Sequence, residues 1–262
     1  MFNKLKHIGI LGAMPEEVSL ALKNIKLLEK NQFGDLTIYT GMWISKESPD
    51  EQFYLSIAWS GWGKVSASRA ATRILGLDIP DIPKITTIIF SGVAGGTNAK
   101  TNQWDVVIPS ELVQHDMDAS PLFKKFEIPC LKTTQMLTNR ELLKFSTNTI
   151  KNIIIKDKSL PFGEVHNGLI ATGDKFISDK KIMDNLNSEF PNLTAVEMEG
   201  AAVAQVAIQE AVEWLIIRVI SDNAESEAAE CFEEFLKKYE LYSWKLLNTL
   251  LEEWCKTPEF SI

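Results

Sequence analysis

Two runs, Ile85 to Ser91 and Trp214 to Ser221, limit what this chain can become more than any other feature. Both are dominated by β-branched, aliphatic and aromatic residues, and neither alternates strictly between apolar and polar positions. A strand with one wet face alternates with period two, whereas a strand covered on both faces need not. Such runs belong inside a sheet that carries a layer on each side. Shorter runs of the same kind lie at His7 to Leu11, Leu36 to Thr40, Phe53 to Trp59, Asp105 to Ile108, Gly168 to Thr172 and Leu193 to Glu197. Between them fall helical patterns at Pro15 to Asn24, Lys64 to Leu75, Arg140 to Ile150, Lys180 to Glu189, Gly200 to Glu210 and Cys231 to Trp254. Strands alternating with helices indicate an α/β protein. With 262 residues and no internal repeat or low-complexity tract, one domain spanning 1–262 is the simplest organisation. Three stretches read as irregular: a polar hairpin tip at Ser45 to Gln52, a turn at Lys158 to Glu164, and a longer loop from Met117 to Pro129. The last carries Pro121, Leu122, Phe123 and Phe126, and a long apolar loop is a lid, a pocket wall or a subunit contact.

Composition narrows the partner. The net charge is −8 with a pI of about 5.1 and there is no long basic run, which argues against nucleic acid or an anionic membrane surface and for a small-molecule substrate. Cys130, Cys231 and Cys255 stand far apart without zinc or disulfide spacing, as reduced cytoplasmic thiols do. His7, His115 and His166 lie in separate segments, so no histidine-based metal site is expected. The first residues lack a secretory pattern, and no stretch reaches the roughly 18 apolar residues of a membrane span.

Four constellations follow strands, where ligands of open α/β sheets bind. Gly12-Ala13-Met14-Pro15-Glu16-Glu17 is a turn into a helix bearing two acids about 100° apart, so one can face a site while the other faces solvent. A solvated first turn is the plain alternative for either acid. Ser91-Gly92-Val93-Ala94-Gly95-Gly96 reads as a tight turn, or else as a sugar contact through its backbone N–H groups; it has neither the Lys-Ser/Thr ending of a P-loop nor an arginine. Ser221-Asp222 ends the second buried strand, and Arg218 within that strand needs a carboxylate partner if buried. Thr172-Gly173-Asp174-Lys175-Phe176-Ile177 offers an aromatic face to a planar ring. To these Val196-Glu197-Met198-Glu199-Gly200 adds two acids at the mouth of a small-residue helix, where an acid that merely complements the helix dipole is the plain reading.

Together with Ser60-Gly61-Trp62-Gly63-Lys64-Val65, these motifs resemble, in order and from about residue 7 to about residue 250, the nucleoside phosphorylase/hydrolase superfamily, and within it the bacterial 5′-methylthioadenosine/S-adenosylhomocysteine nucleosidases. The resemblance implies a single three-layer α/β/α domain around a central mixed, twisted sheet, a homodimer, and cleavage of the N-glycosidic bond to adenine without cofactor or metal. It implies that Asp222 protonates adenine N7, with Ser221 orienting it and burial raising its pKa. Glu17 then activates the water, Glu199 binds the ribose hydroxyls beside Met198, Phe176 stacks on adenine and the Ile177 backbone reads its edge. Arg218 falls near the water and Glu199, and Glu197 is either a substrate contact or the structural partner of Arg218. Met14, Ala94, Gly95, Trp62 and Phe232 would line the pocket, and the 115–129 loop, through Leu122 and Phe123, would reach the neighbouring subunit's site. Trp62 stands where the family often has a smaller aliphatic residue, and Val93 replaces a common Ser, so the preferred 5′ substituent is open. Another 5′-modified nucleoside of futalosine type, phosphorolysis, and a silent nucleoside-binding protein are the alternatives.

Overall fold

The computed structural model describes residues 6–97, 101–222 and 228–257. Among them the strands are β1 (Lys6–Gly12), β2 (Lys26–Phe33), β3 (Leu36–Ile44), β4 (Gln52–Trp59), β5 (Thr87–Gly96), β6 (Val106–Val107), β7 (Glu111–Gln114), β8 (Met136–Leu137), β9 (Val165–His166), β10 (Leu169–Thr172), β11 (Leu193–Glu197) and β12 (Glu213–Asp222). The helices are α1 (Pro15–Lys23), α2 (Lys64–Leu75), α3 (Arg140–Lys156), α4 (Lys180–Glu189), α5 (Gly200–Gln209), α6 (Ala228–Glu240) and α7 (Ser243–Cys255).

The strands form one mixed sheet that branches at β5. β5 pairs in parallel with β1 on one side and β12 on the other, and its last residues, Gly95 and Gly96, pair antiparallel with β11. One arm then runs through β11, β10, β7 and β8, and the other through β12, β6 and β9. Successive residues of β12 enter opposite cores: Trp214, Ile216 and Ile220 meet Ala67, Ala70 and Ala71 of α2 and Ala201 to Ala207 of α5. Leu215, Ile217 and Val219 meet α1, α3, α6 and α7. Period-two geometry with apolar residues at every position produces this three-layer arrangement. A third cluster packs α4 on β7, β10 and β11.

Three expectations need correction. The segment Ser91 to Gly96 is no turn; β5 continues through it, because β12 follows it residue by residue and β11 takes over at Gly95. The helix expected from Cys231 to Trp254 breaks at Leu241 and Tyr242 into α6 and α7. Its apolar positions run 232, 235, 236, 239, then 244, 247, 251, and on a continuous helix the five-residue step would turn the apolar faces of the two halves about 100° apart. The break lets both halves face the same core. The side chain of Cys231 lies outside the described residues, as does Asn223. Finally, β2 was not expected: Lys26 to Phe33 is an exposed edge strand with Lys26, Glu29 and Lys30 along it, charges that keep an edge from pairing with other chains and hide the strand pattern.

Candidate active site

Beyond the carboxyl ends of β1, β5, β10, β11 and β12, a pocket of about 580 Å³ opens. Its floor is built around Gly92, where β5 passes so close to the Glu17 carboxylate and the Arg218 guanidinium that a Cβ would collide with both. Glu17, at the third position of α1, is 2% exposed. It reaches back along its own helix to accept from the N–H groups of Ala13 (2.5 Å) and Met14 (3.0 Å), the reciprocal half of a capping box, and across to accept from Val93 N–H (3.1 Å). The solvated reading therefore applies to Glu16, its half-exposed neighbour, and not to Glu17.

Glu197 and Glu199 divide the work at the mouth of α5. Glu197 does the capping: its Oε2 accepts from the N–H groups of Glu199 (3.0 Å) and Gly200 (2.7 Å), and Thr172 donates to its other oxygen while accepting from Ala201 N–H (2.9 Å). Arg218 Nη2 lies 2.5 Å from Glu197 and 3.6 Å from Glu199. Relieved of the cap, Glu199 faces the pocket and accepts from Gly63 N–H at 2.8 Å. Gly63 has φ +89, a conformation that favours glycine, and a Cβ there would crowd Asp174. Lys64 extends this junction, donating its N–H to Asp174 (2.7 Å) and pairing with Asp116 (2.6 Å), which accepts from Asp174 N–H. The loops bearing Trp62 and Phe176 are thereby tied together.

At the end of β12, the β5–β12 register skips a residue between Ile220 and Asp222. This irregularity keeps Ser221 buried and turns Asp222 to the pocket, the use strand bulges commonly serve at sites. Ser221 donates to Asp222 Oδ2 at 2.6 Å and contacts Ala94 O at 3.2 Å. Phe232 of α6 closes the mouth, edge-on to both Trp62 (6.2 Å, 87°) and Phe176 (6.0 Å, 82°).

Charge is the pocket's most demanding feature. Glu17, Glu197 and Glu199 surround one guanidinium, and all four side chains are buried. Three buried carboxylates against one cation leave an uncompensated charge that folding cannot sustain cheaply. Burial pushes the Glu17 carboxyl up, with Arg218 and three backbone N–H groups opposing it. Burial and then the charge of Glu197 push Glu199 up to about 8. For Arg218, burial acts downward but the carboxylates of Glu197, Glu199 and Glu17 outweigh it and hold the guanidinium above its ordinary range.

The family model described as the Phosphorylase superfamily matches residues 7–252. The chain belongs to this superfamily. Within it, the chain is 33% identical over 248 residues to the 5′-methylthioadenosine/S-adenosylhomocysteine nucleosidase of Anoxybacillus flavithermus, covering 94% of this chain and 98% of that protein. Among solved structures it is similar to the S-adenosylhomocysteine nucleosidase of Streptococcus pyogenes in complex with 5-methylthiotubericidin, with a TM-score of 0.82 and 29% identity over 97% of this chain and 99% of the other. It is also similar to the futalosine hydrolase of Helicobacter pylori strain 26695, with a TM-score of 0.78 and 30% identity over 95% and 98% of the two chains.

In this member of the phosphorylase superfamily, the motifs singled out from the sequence converge. Met14, Glu17, Trp62, Ala94, Gly95, Phe176, Ile177, Glu197, Met198, Glu199, Ser221, Asp222 and Phe232 all line the pocket. Arg218 does not; it is 1% exposed behind the wall and touches the carboxylates, with Phe90 under its guanidinium at 4.3 Å. Sequence reasoning missed Lys175, which lines the rim, and the Thr172 and Lys64–Asp116–Asp174 links. Those links join residues distant in sequence, so no local pattern announces them.

The raised Glu199 pKa has a consequence for stability. A carboxyl that holds its proton more tightly when folded contributes most below its unfolded pKa of about 4.5. That contribution is lost as pH climbs towards about 8. Glu199→Gln keeps an acceptor for Gly63 N–H and removes the buried charge. It is expected to match wild type at pH 4.5 and to exceed it at pH 9 by on the order of a few kcal/mol, read from urea unfolding. Equal stabilities at both pH values would contradict the assignment.

Proposed function

We propose that this protein hydrolyses the N-glycosidic bond of 5′-thio-substituted adenosines, such as 5′-methylthioadenosine and S-adenosylhomocysteine, to adenine and the thioribose. The observation that carries the reading is that two carboxyl groups from different elements line one pocket, Glu17 of α1 and Asp222 on the turned end of β12. Glycosidic cleavage passes through an oxocarbenium-like sugar, which calls for an acid on the leaving group and a base on water at the far face. Asp222, oriented by Ser221, delivers its proton to adenine N7 as the bond to C1′ breaks. The bonding electrons leave with adenine, water adds to C1′, and Glu17 accepts the water's proton. Glu199, neutral or ionised, hydrogen-bonds the ribose hydroxyls with Met198 packed alongside, Phe176 stacks on adenine, and the Ile177 backbone contacts its edge. Arg218 acts through the carboxylates and is a positioning residue.

The charge pattern favours water over phosphate as the acceptor. A phosphate site needs fixed cations. Among the described lining residues the cationic side chain is the exposed Lys175, while Arg218 is committed to Glu197 and Glu199. A second reading, the same chemistry on a larger 5′-modified nucleoside, is favoured by Trp62, which is 53% exposed and meets Phe232 edge-on instead of filling the pocket.

The working unit in this reading is a cytoplasmic homodimer. Leu122 and Phe123 are exposed on the 115–129 loop and contribute nothing to their own pocket, which supports their reaching a neighbour's. No helix among the described residues is long and apolar enough to cross a membrane. The test is incubation of the purified protein with methylthioadenosine. Release of adenine with a free reducing thioribose is expected, and no turnover of any adenosine thioether would remove the proposal.

A further inference from the structure

The end of β12 is gripped from its outer side by a strap, Gln103 to Asp105, that lines no part of the pocket. Buried backbone groups must find partners, and at Ser221, which is 1% exposed, the register with β5 skips. The strap supplies them. Trp104 N–H donates to Ile220 O at 2.9 Å, Ile220 N–H donates to Asp105 O at 2.9 Å, and Gln103 Nε2 donates to Ser221 O at 2.7 Å. A side chain thus holds the Ser221 carbonyl, and that carbonyl shares one rigid peptide plane with the N–H of Asp222.

The strap has a firm base. Trp104 adopts φ +73, unusual for a bulky residue, and its ring lies 4.5 Å from that of Phe235 with Phe162 and Tyr242 edge-on to it. Asp105, 3% exposed, accepts from the N–H groups of Asn102 (2.9 Å) and Glu164 (2.8 Å) and lies 2.8 Å from His166 Nε2. Gly163 passes so close that a Cβ would strike the Asp105 carboxylate.

We infer that Gln103 is a positioning residue for the general acid. By holding the Ser221 carbonyl it fixes the peptide plane from which the Asp222 side chain departs, and with it the line along which the carboxyl meets adenine N7. The inference rests on the nucleosidase reading, in which Asp222 is that acid. Proton transfer needs the two heavy atoms within about 2.6–3.2 Å, so a plane free to rotate would swing the carboxyl out of reach. Ser221 Oγ steers the carboxyl directly at 2.6 Å, and Gln103 anchors the backbone that carries both residues. Gln103 itself is exposed, so it fills no core.

The experiment measures kcat and KM for adenine release from 5′-methylthioadenosine in wild type, Gln103→Met, Asp222→Asn and the double variant. Methionine keeps the side chain's length and removes the donor, and at an exposed position it keeps the fold, which the unfolding temperature checks. Gln103→Met is expected to lower kcat about tenfold with KM unchanged, the scale of one hydrogen bond that counts in the transition state. In the Asp222→Asn background the same substitution is expected to change kcat by less than about twofold, because residues that act through one another do not add. An unchanged kcat in Gln103→Met, equal losses with and without the Asp222 carboxyl, or a change confined to KM would overturn the positioning role and leave the hydrolase reading standing. No adenine release by wild type would remove the hydrolase reading and this inference with it.

Discussion

Asp222→Asn is expected to lower kcat for adenine release by about three orders of magnitude, within the range a positioned general acid contributes, while KM and the unfolding temperature should change little. The carboxamide fills the same volume and still accepts from Ser221 Oγ, which lies 2.6 Å from the carboxylate, so the turned end of β12 keeps its shape. On the proposed mechanism, what is lost is the proton adenine needs as it leaves. An interaction made chiefly in the transition state lowers kcat and kcat/KM together, and that signature separates loss of the acid from loss of binding. Steady-state kinetics with methylthioadenosine reads both constants. Near-normal turnover would remove Asp222 from the acid role, and a change confined to KM would make it a binding residue.

Arg218→Met strikes at stability and is expected to cost about 3–5 kcal/mol, the usual penalty for stripping a buried charge cluster of its partner. For a chain of this size that lowers the unfolding temperature by roughly 10 °C. Methionine fills most of the space over Phe90, so the loss is electrostatic and not a cavity effect. Glu17, Glu197 and Glu199 would remain together, without the guanidinium that draws Glu17 down against burial. The deficit should therefore depend on pH. With the cation gone the carboxyl groups take up protons more readily in the folded state, so the folded variant binds more protons than its unfolded chain, and its stability falls as pH rises. Urea unfolding at pH 5 and pH 8.5 checks this: a larger deficit at the higher pH is expected. A deficit equal at both would assign Arg218 a packing role.

Much of this was legible in the chain, for physical reasons that also explain the gaps. The non-alternating runs of β5 and β12 announced a two-sided sheet because burial on both faces removes the need for polar positions. Lys64–Leu75, Lys180–Glu189 and Leu193–Glu197 end where the sequence placed them. Small-residue spacing gave α5, whose alanines bring it against those of α2. The two-residue strands β6, β8 and β9 are too short to carry a period. The continuation of β5 through Gly92, Gly95 and Gly96 was hidden because glycines that admit a neighbouring carboxylate look, in one dimension, like glycines of a turn. At the site, the motifs singled out from the sequence meet in one pocket; the residues alone left Glu197 and Glu199 undivided, and only the family resemblance set Glu199 toward the ribose and offered Arg218 to Glu197. Their roles separate in three dimensions, where one carboxylate caps the helix and pairs with Arg218 and the other takes the Gly63 N–H and faces the pocket.

The most direct test of the central claim is the phosphate dependence of adenine release from 5′-methylthioadenosine. A site in which Glu17 activates water and the buried arginine is held by carboxylates gives the same rate in phosphate-free buffer as in millimolar phosphate, with free thioribose as the sugar product. Turnover that rises with phosphate and yields a thioribose 1-phosphate would contradict it.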